Sequence, residues 1–160
     1  MKDYYISPEN NKPQFHRAFT SKRDFEEAKL YLLSYKPNLD EVIKEALLVA
    51  TVVSYSRPFT SNNGGNRGQS TRTLKGNINI ILNENKEIEF HNKILNLRNE
   101  AIVHSDFSKK PVNLIQASTA GSLVQSKKFN IRSEILDYDI KLFLSITEKM
   151  INHCNDLMFK

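Results

Sequence analysis

Arg98, with Asn99 beside it and His104 six positions later, is the set of side chains in this sequence best equipped for chemistry. An imidazole titrates near neutral pH and can take or give a proton. A guanidinium can clamp an anion and stabilise charge that grows on its oxygens. The segment RNEAIVH, from Arg98 to His104, closes an amphipathic run and is the expected functional centre. At about 100° per residue, His104 falls within roughly 20° of Leu97, on the stripe of Phe90, Ile94 and Ala101. Arg98 and His104 stand about 120° apart around a straight helix and about 9 Å apart along it. They therefore meet only if the helix end distorts or a second subunit completes the site. Plainer readings stay open beside this one. His104 can serve as a helix-end cation facing the last carbonyls. Arg98 can pair with Glu100 or Asp106, and Asn99 can be an ordinary surface residue.

The elements that must position these groups follow from periodicity. Residues 1–20 read as a polar N-terminal arm containing Pro8 and Pro13, and 21–160 as one helical domain. A first helix is expected from Lys22 to Ser34, capped by Thr20 or Ser21, with Phe25, Ala28 and Leu32 inward, Leu33 a further candidate for that face, and Pro37 beyond its end. Asn38 with Glu41 resembles a capping box and opens a second helix to about Ser56. Its predicted core stripe is Leu39, Val42, Ile43, Ala46, Leu47, Ala50 and Val53. Arg57 occupies the next position on that stripe, where it must find a partner or reach solvent, and Pro58 stops the helix. Residues 61–73 form a loop rich in Gly and Ser, with Arg67 and Arg72. Its GGNRGQST lacks the spacing and the lysine of a phosphate-binding P-loop. A short helical or extended piece is expected over Leu74 to Leu82, and a third helix from about Glu84 to His104. VNLIQAS and SLVQSKKFNI flank a TAG turn and predict a β-hairpin. A last helix, capped by Ser133, should reach Met158. The fold class is thus mainly α: an up-and-down bundle of about four long helices with a small β-hairpin inserted before the last.

Composition narrows the classes further. In 160 residues, 39% apolar and 26% charged side chains suffice for one solvated core. No apolar run approaches the roughly 20 residues that span a bilayer, and the N-terminus has no secretory hydrophobic region, so a cytoplasmic protein is the default. The net charge of +5 mildly favours a polyanion partner. Cys154 is the one cysteine and reads as an inert core thiol. His16 and His153 have no companions at metal spacing, and neither a metal site nor a cofactor is expected.

EFHNKILNLRNEAIVHSDF, together with YSRPF from Tyr55 to Phe59, resembles the HEPN superfamily, whose mark is an Arg, a polar residue and a His near a helix end. The resemblance covers mainly residues 40 to 106 and leaves out the hairpin and the basic loop. It implies a small helical bundle and a metal-independent endoribonuclease, of the kind found in toxins and phage defence. In that chemistry His104 accepts the proton of a ribose 2′-hydroxyl, Arg98 holds the phosphate, and Asn99 orients either. Arg57, His91 and Tyr55 become the candidate substrate contacts, although His91 also fits a structural role. RNA or a nucleotide, a second copy of the chain and an antitoxin are the partners implied. Other HEPN proteins bind nucleotides or act as scaffolds without turnover, so a non-catalytic RNA-binding or interaction module is the alternative.

Overall fold

The computed structural model describes residues 12–60, 73–74, 76–99, 112–117, 121–126 and 130–159, with the two strands described as backbone alone. It is a mainly helical, bundle-like fold. Helix α1 spans Lys12–Ser34, α2 Glu41–Ser56, α3 Ile78–Ile81, α4 Asn85–Asn96 and α5 Asp139–Phe159. Strands β1 (Val112–Ala117) and β2 (Gly121–Ser126) pair antiparallel, with Val112 opposite Ser126 and Ala117 opposite Gly121.

α1 already includes Lys12, well before the expected Lys22. Thr20 and Ser21 therefore lie inside the helix and do not cap it. The Thr20 hydroxyl donates to the His16 carbonyl at 2.9 Å, and Ser21 is buried. Phe25, Ala28 and Leu32 form the inward stripe, as the spacing predicts, whereas Leu33 faces outward. They pack α1 along both α2 and α5, which are its two principal neighbours. Tyr35 follows them into the core and donates its hydroxyl to Asp137 Oδ1 at 2.6 Å.

α2 departs from expectation twice. Its N-cap is Asp40 rather than Asn38, and the carboxylate accepts from the Val42 amide at 2.8 Å. Its inward face is Leu48, Thr51, Val52 and Tyr55, with Lys44 at one end. Of the predicted stripe Leu47 packs against the core, whereas Val42 is 72% exposed and Ile43 50%. From Ala46 to Ser56 this helix has no charge on any side, so periodicity alone cannot choose its face. Two hydrogen bonds let polar groups go inside: within the helix the Thr51 hydroxyl donates to the Leu47 carbonyl at 2.7 Å, and across to α1 the Ser54 hydroxyl donates to Glu27 Oε2 at 2.9 Å. A single 3-10 turn, Arg57–Phe59, ends the helix at Pro58.

Leu74 returns to this point, its amide donating to the Pro58 carbonyl at 2.9 Å. The short α3 follows, and Gly76 passes so near α5 that a β-carbon there would lie 2.6 Å from His153 Nε2. α4 buries Phe90 and Ile94, and Leu97 continues the stripe just past its end. The expected continuation through Ala101 to His104 lies outside the described residues. The last helix starts later than expected. Ser133 belongs to a 3-10 turn capped by the Asn130 side chain, and α5 opens only at Asp139. Phe143, Ile146, Thr147, Met150 and Cys154 form its buried side.

One ion pair fastens α4 to α5. Glu87 is 3% exposed, and its Oε2 lies 2.7 Å from Lys149 Nζ, which also reaches Asn83 Oδ1 at 3.2 Å. Removing only the cation strands a desolvated carboxylate. Lys149→Met should therefore lower stability by about 2 kcal/mol in urea denaturation, and adding Glu87→Gln should restore part of it. A loss no larger than that of Lys86→Met, at an exposed lysine, would mean the pair does not fasten the helices. Among the described residues no helix is long and apolar enough to cross a membrane.

Candidate functional site

Arg98 and Asn99 lie just past the regular part of α4, where the chain changes from α to wider π-type turns over 97–99. Such turns recur at functional sites because they re-aim side chains that a regular helix would hold apart. Neighbours in sequence do not face each other on an α-helix. Here Arg98 Nη1 nevertheless donates to Asn99 Oδ1 at 2.9 Å. Arg98 is partly exposed, and among the described residues it pairs with no carboxylate. The expected unwinding near His104 lies outside the described residues. His104 is outside the described residues, so its distance from Arg98 is not part of the geometry.

His91 and Tyr55 occupy a different environment. His91 is 2% exposed, Tyr55 is fully buried, and the Tyr55 hydroxyl and His91 Nδ1 share a 2.8 Å hydrogen bond. Phe59 stands edge-on to the imidazole with ring centres 4.8 Å apart. Burial pushes the His91 pKa down to about 4, so the ring is neutral at physiological pH. Burial, and then the nearby Glu87 charge, raise the Tyr55 phenol well above its ordinary range. The pair joins α2 to α4 inside the core. The substrate contacts expected of both residues would require that core to open.

Arg57 lies on the seam between α1 and α2. Its Nη1 is 2.7 Å from Glu27 Oε2 and 3.3 Å from Asp24 Oδ1. Glu27 also accepts from the Tyr31 hydroxyl at 2.9 Å as well as from Ser54. Those two hydroxyls, with Arg57 behind them, hold Glu27 below the usual carboxylate range. Asp24 moves up instead, because burial outweighs the attraction of Arg57. Arg17 closes the seam by donating to the Pro58 carbonyl at 2.6 Å. A phosphate approaching Arg57 would meet two carboxylates first. The seam opens into a groove of about 530 Å³, with Ala46, Val49, Ala50 and Val53 along it and Arg57 at one end.

The five expected site residues that lie among the described ones thus divide, His104 being outside them. Arg98 and Asn99 stand together at the helix end, Tyr55 and His91 together in the core, and Arg57 among acids on the seam. Asp24, Glu27 and Tyr31 were not singled out from sequence, although their three- and four-residue spacing on a predicted helix marks one face. Among the described residues no cluster of His, Cys, Asp and Glu could hold a metal ion. Cys154 is buried, and burial pushes its thiol up to about 12, far from a reactive thiolate. In comparison with known proteins, the chain matches no family model, no curated protein and no solved structure.

Proposed function

We propose that this protein binds RNA through the end of α4 and cleaves it by the metal-independent route its HEPN-like motif implies, as a cytoplasmic toxin or defence factor. The observation that supports this reading is the setting of Arg98: a partly exposed guanidinium at a widened helix end, bonded among the described residues to neutral Asn99. Arg57 and Arg132 both pair with acids among those same residues, which leaves Arg98 the best placed of the three to receive a phosphate. In the proposed reaction His104 accepts the 2′-hydroxyl proton as that oxygen attacks the adjacent phosphorus. The bond to the 5′-oxygen breaks, a proton is delivered to it, and a 2′,3′-cyclic phosphate remains. Arg98 balances the charge gathering on the phosphoryl oxygens.

Purified protein incubated with total RNA in a chelator should leave cyclic-phosphate ends. Arg98→Ala and His104→Ala should each slow this by about 100-fold or more. Equal inertness of wild type and His104→Ala across pH and salt would remove the catalytic reading. A second reading, a non-catalytic RNA-binding or interaction module, is favoured by the open apolar groove on α2. It predicts RNA retention that Arg98→Ala weakens, with no turnover.

A further inference from the structure

α2 carries apolar residues on its outer side as well as on its inner one. It places Lys44, 4% exposed, inside, where Nζ donates to the Pro37 carbonyl at 3.2 Å and pairs with Glu41 at 2.6 Å. It leaves Val42 72% exposed and Ala46 open, with Val49 and Val53 only half-covered along the groove. A mainly apolar strip left open along one side of a helix, with Glu45 and Tyr31 beside it, marks a contact surface rather than scattered exposure.

We infer that a second copy of this chain covers the strip, the two α2 helices lying antiparallel about a two-fold axis between Ala46 and Val49. Two features of α2 select this occupant. The first is spacing: Val42, Ala46, Val49 and Val53 are separated by four, three and four residues, which reads the same in both directions. In an antiparallel pair Val42 then faces Val53 and Ala46 faces Val49, so every apolar residue meets another, the isologous condition of a two-fold contact. Ala46 and Ala50 keep the centre slim enough for close helix approach.

The second feature is charge. Asp40 and Glu41 open the helix and Arg57 closes it. Antiparallel copies bring the Arg57 of one to the acidic start of the other, one turn beyond the Val42–Val53 contact, and their helix dipoles oppose favourably. Glu41 and Arg57 remain largely or half exposed despite their own intrachain pairs, so both stay within reach. A parallel arrangement would stack acid on acid. This dimer uses α2 rather than the end of α4, and it stands apart from the RNA reading because its tests leave Arg98 and His104 intact.

Sedimentation velocity on the full chain from about 1 to 200 µM should show a monomer–dimer equilibrium, the micromolar range being that expected of a contact built on one helix pair. Val42→Glu and Val49→Glu should each raise the dissociation constant at least about tenfold. Val42 is so exposed that Val42→Glu leaves the fold undisturbed, and unchanged circular dichroism and melting check this. Mixed Val42→Cys and Val53→Cys proteins should cross-link to each other under mild oxidation, whereas neither should cross-link with itself. A chain that stays monomeric, with its own segment in the groove, overturns the inference. So does a dimer indifferent to both glutamates, or one that cross-links through Val42→Cys alone.

Discussion

Phe143→Ala should destabilise the protein by about 4 kcal/mol, the range found when a fully buried aromatic ring is deleted. The ring is 0% exposed, and its position explains the size of the effect. It stands edge-on to Tyr55 of α2 at 5.2 Å and edge-on to Phe90 of α4 at 5.5 Å. Tyr55 in turn meets Phe25 of α1 at 5.4 Å, so one ring on α5 supports contacts reaching four helices. Neighbours held from four sides cannot collapse into the space left, and the cavity cost adds to the lost transfer energy. Phe143→Leu, which keeps most of the volume, should cost well under half as much. Chemical denaturation measures both. An alanine variant losing less than about 1 kcal/mol would show that this cluster does not hold the helices together.

Acid should weaken the fold through His91 well before the carboxylates titrate. The folded pKa of about 4 lies below the ordinary 6.5, so between these values the unfolded chain binds a proton that the folded one refuses. Stability from this group is complete above pH 6.5, falls as pH drops, and levels off below about 4. The full span is about 3 kcal/mol, of which about 2 kcal/mol is lost by pH 5. Asp24, whose pKa is raised, acts in the opposite direction, and Glu27, whose pKa is lowered, in the same direction. Both act mainly nearer the carboxylate range, which leaves the window from pH 6.5 to 5 to His91. His91→Gln can still bond the Tyr55 hydroxyl but cannot titrate, so its stability should be flatter across that window. If wild type and His91→Gln lose stability in parallel there, the buried imidazole is not the cause.

What the sequence allowed one to read depended on contrast along each helix. Phe25, Ala28 and Leu32 on α1, and Phe90 and Ile94 on α4 with Leu97 beyond, stand out against charged neighbours, and all are buried. α2 offers no such contrast, and its true inner face carries Lys44, Thr51 and Ser54. Those groups go inside only because Pro37, Leu47 and Glu27 receive their hydrogens, and two of these partners are backbone carbonyls. Arg57 was readable as an arginine needing a partner, but the partners sit on another helix. The motif located Arg98 and Asn99. The π-type turns over 97–99 that bring those two side chains together have no signature in residue type.

The pairing of α1 with α5 sets a condition on how the protein is made. Lys29 of α1 finds its ion-pair partner in Glu148 at 2.8 Å, and the hydrogen bond from Tyr35 to Asp137 spans 102 positions. A ribosome adding 5–20 residues per second needs roughly 5 to 20 s to deliver that distance of chain. For that interval α1 is outside the exit tunnel with its Phe25–Leu32 stripe covered on the α2 side alone. Nascent α1–α2 hairpins are therefore the species most in need of a chaperone, and translational pausing before α5 would lengthen their exposure.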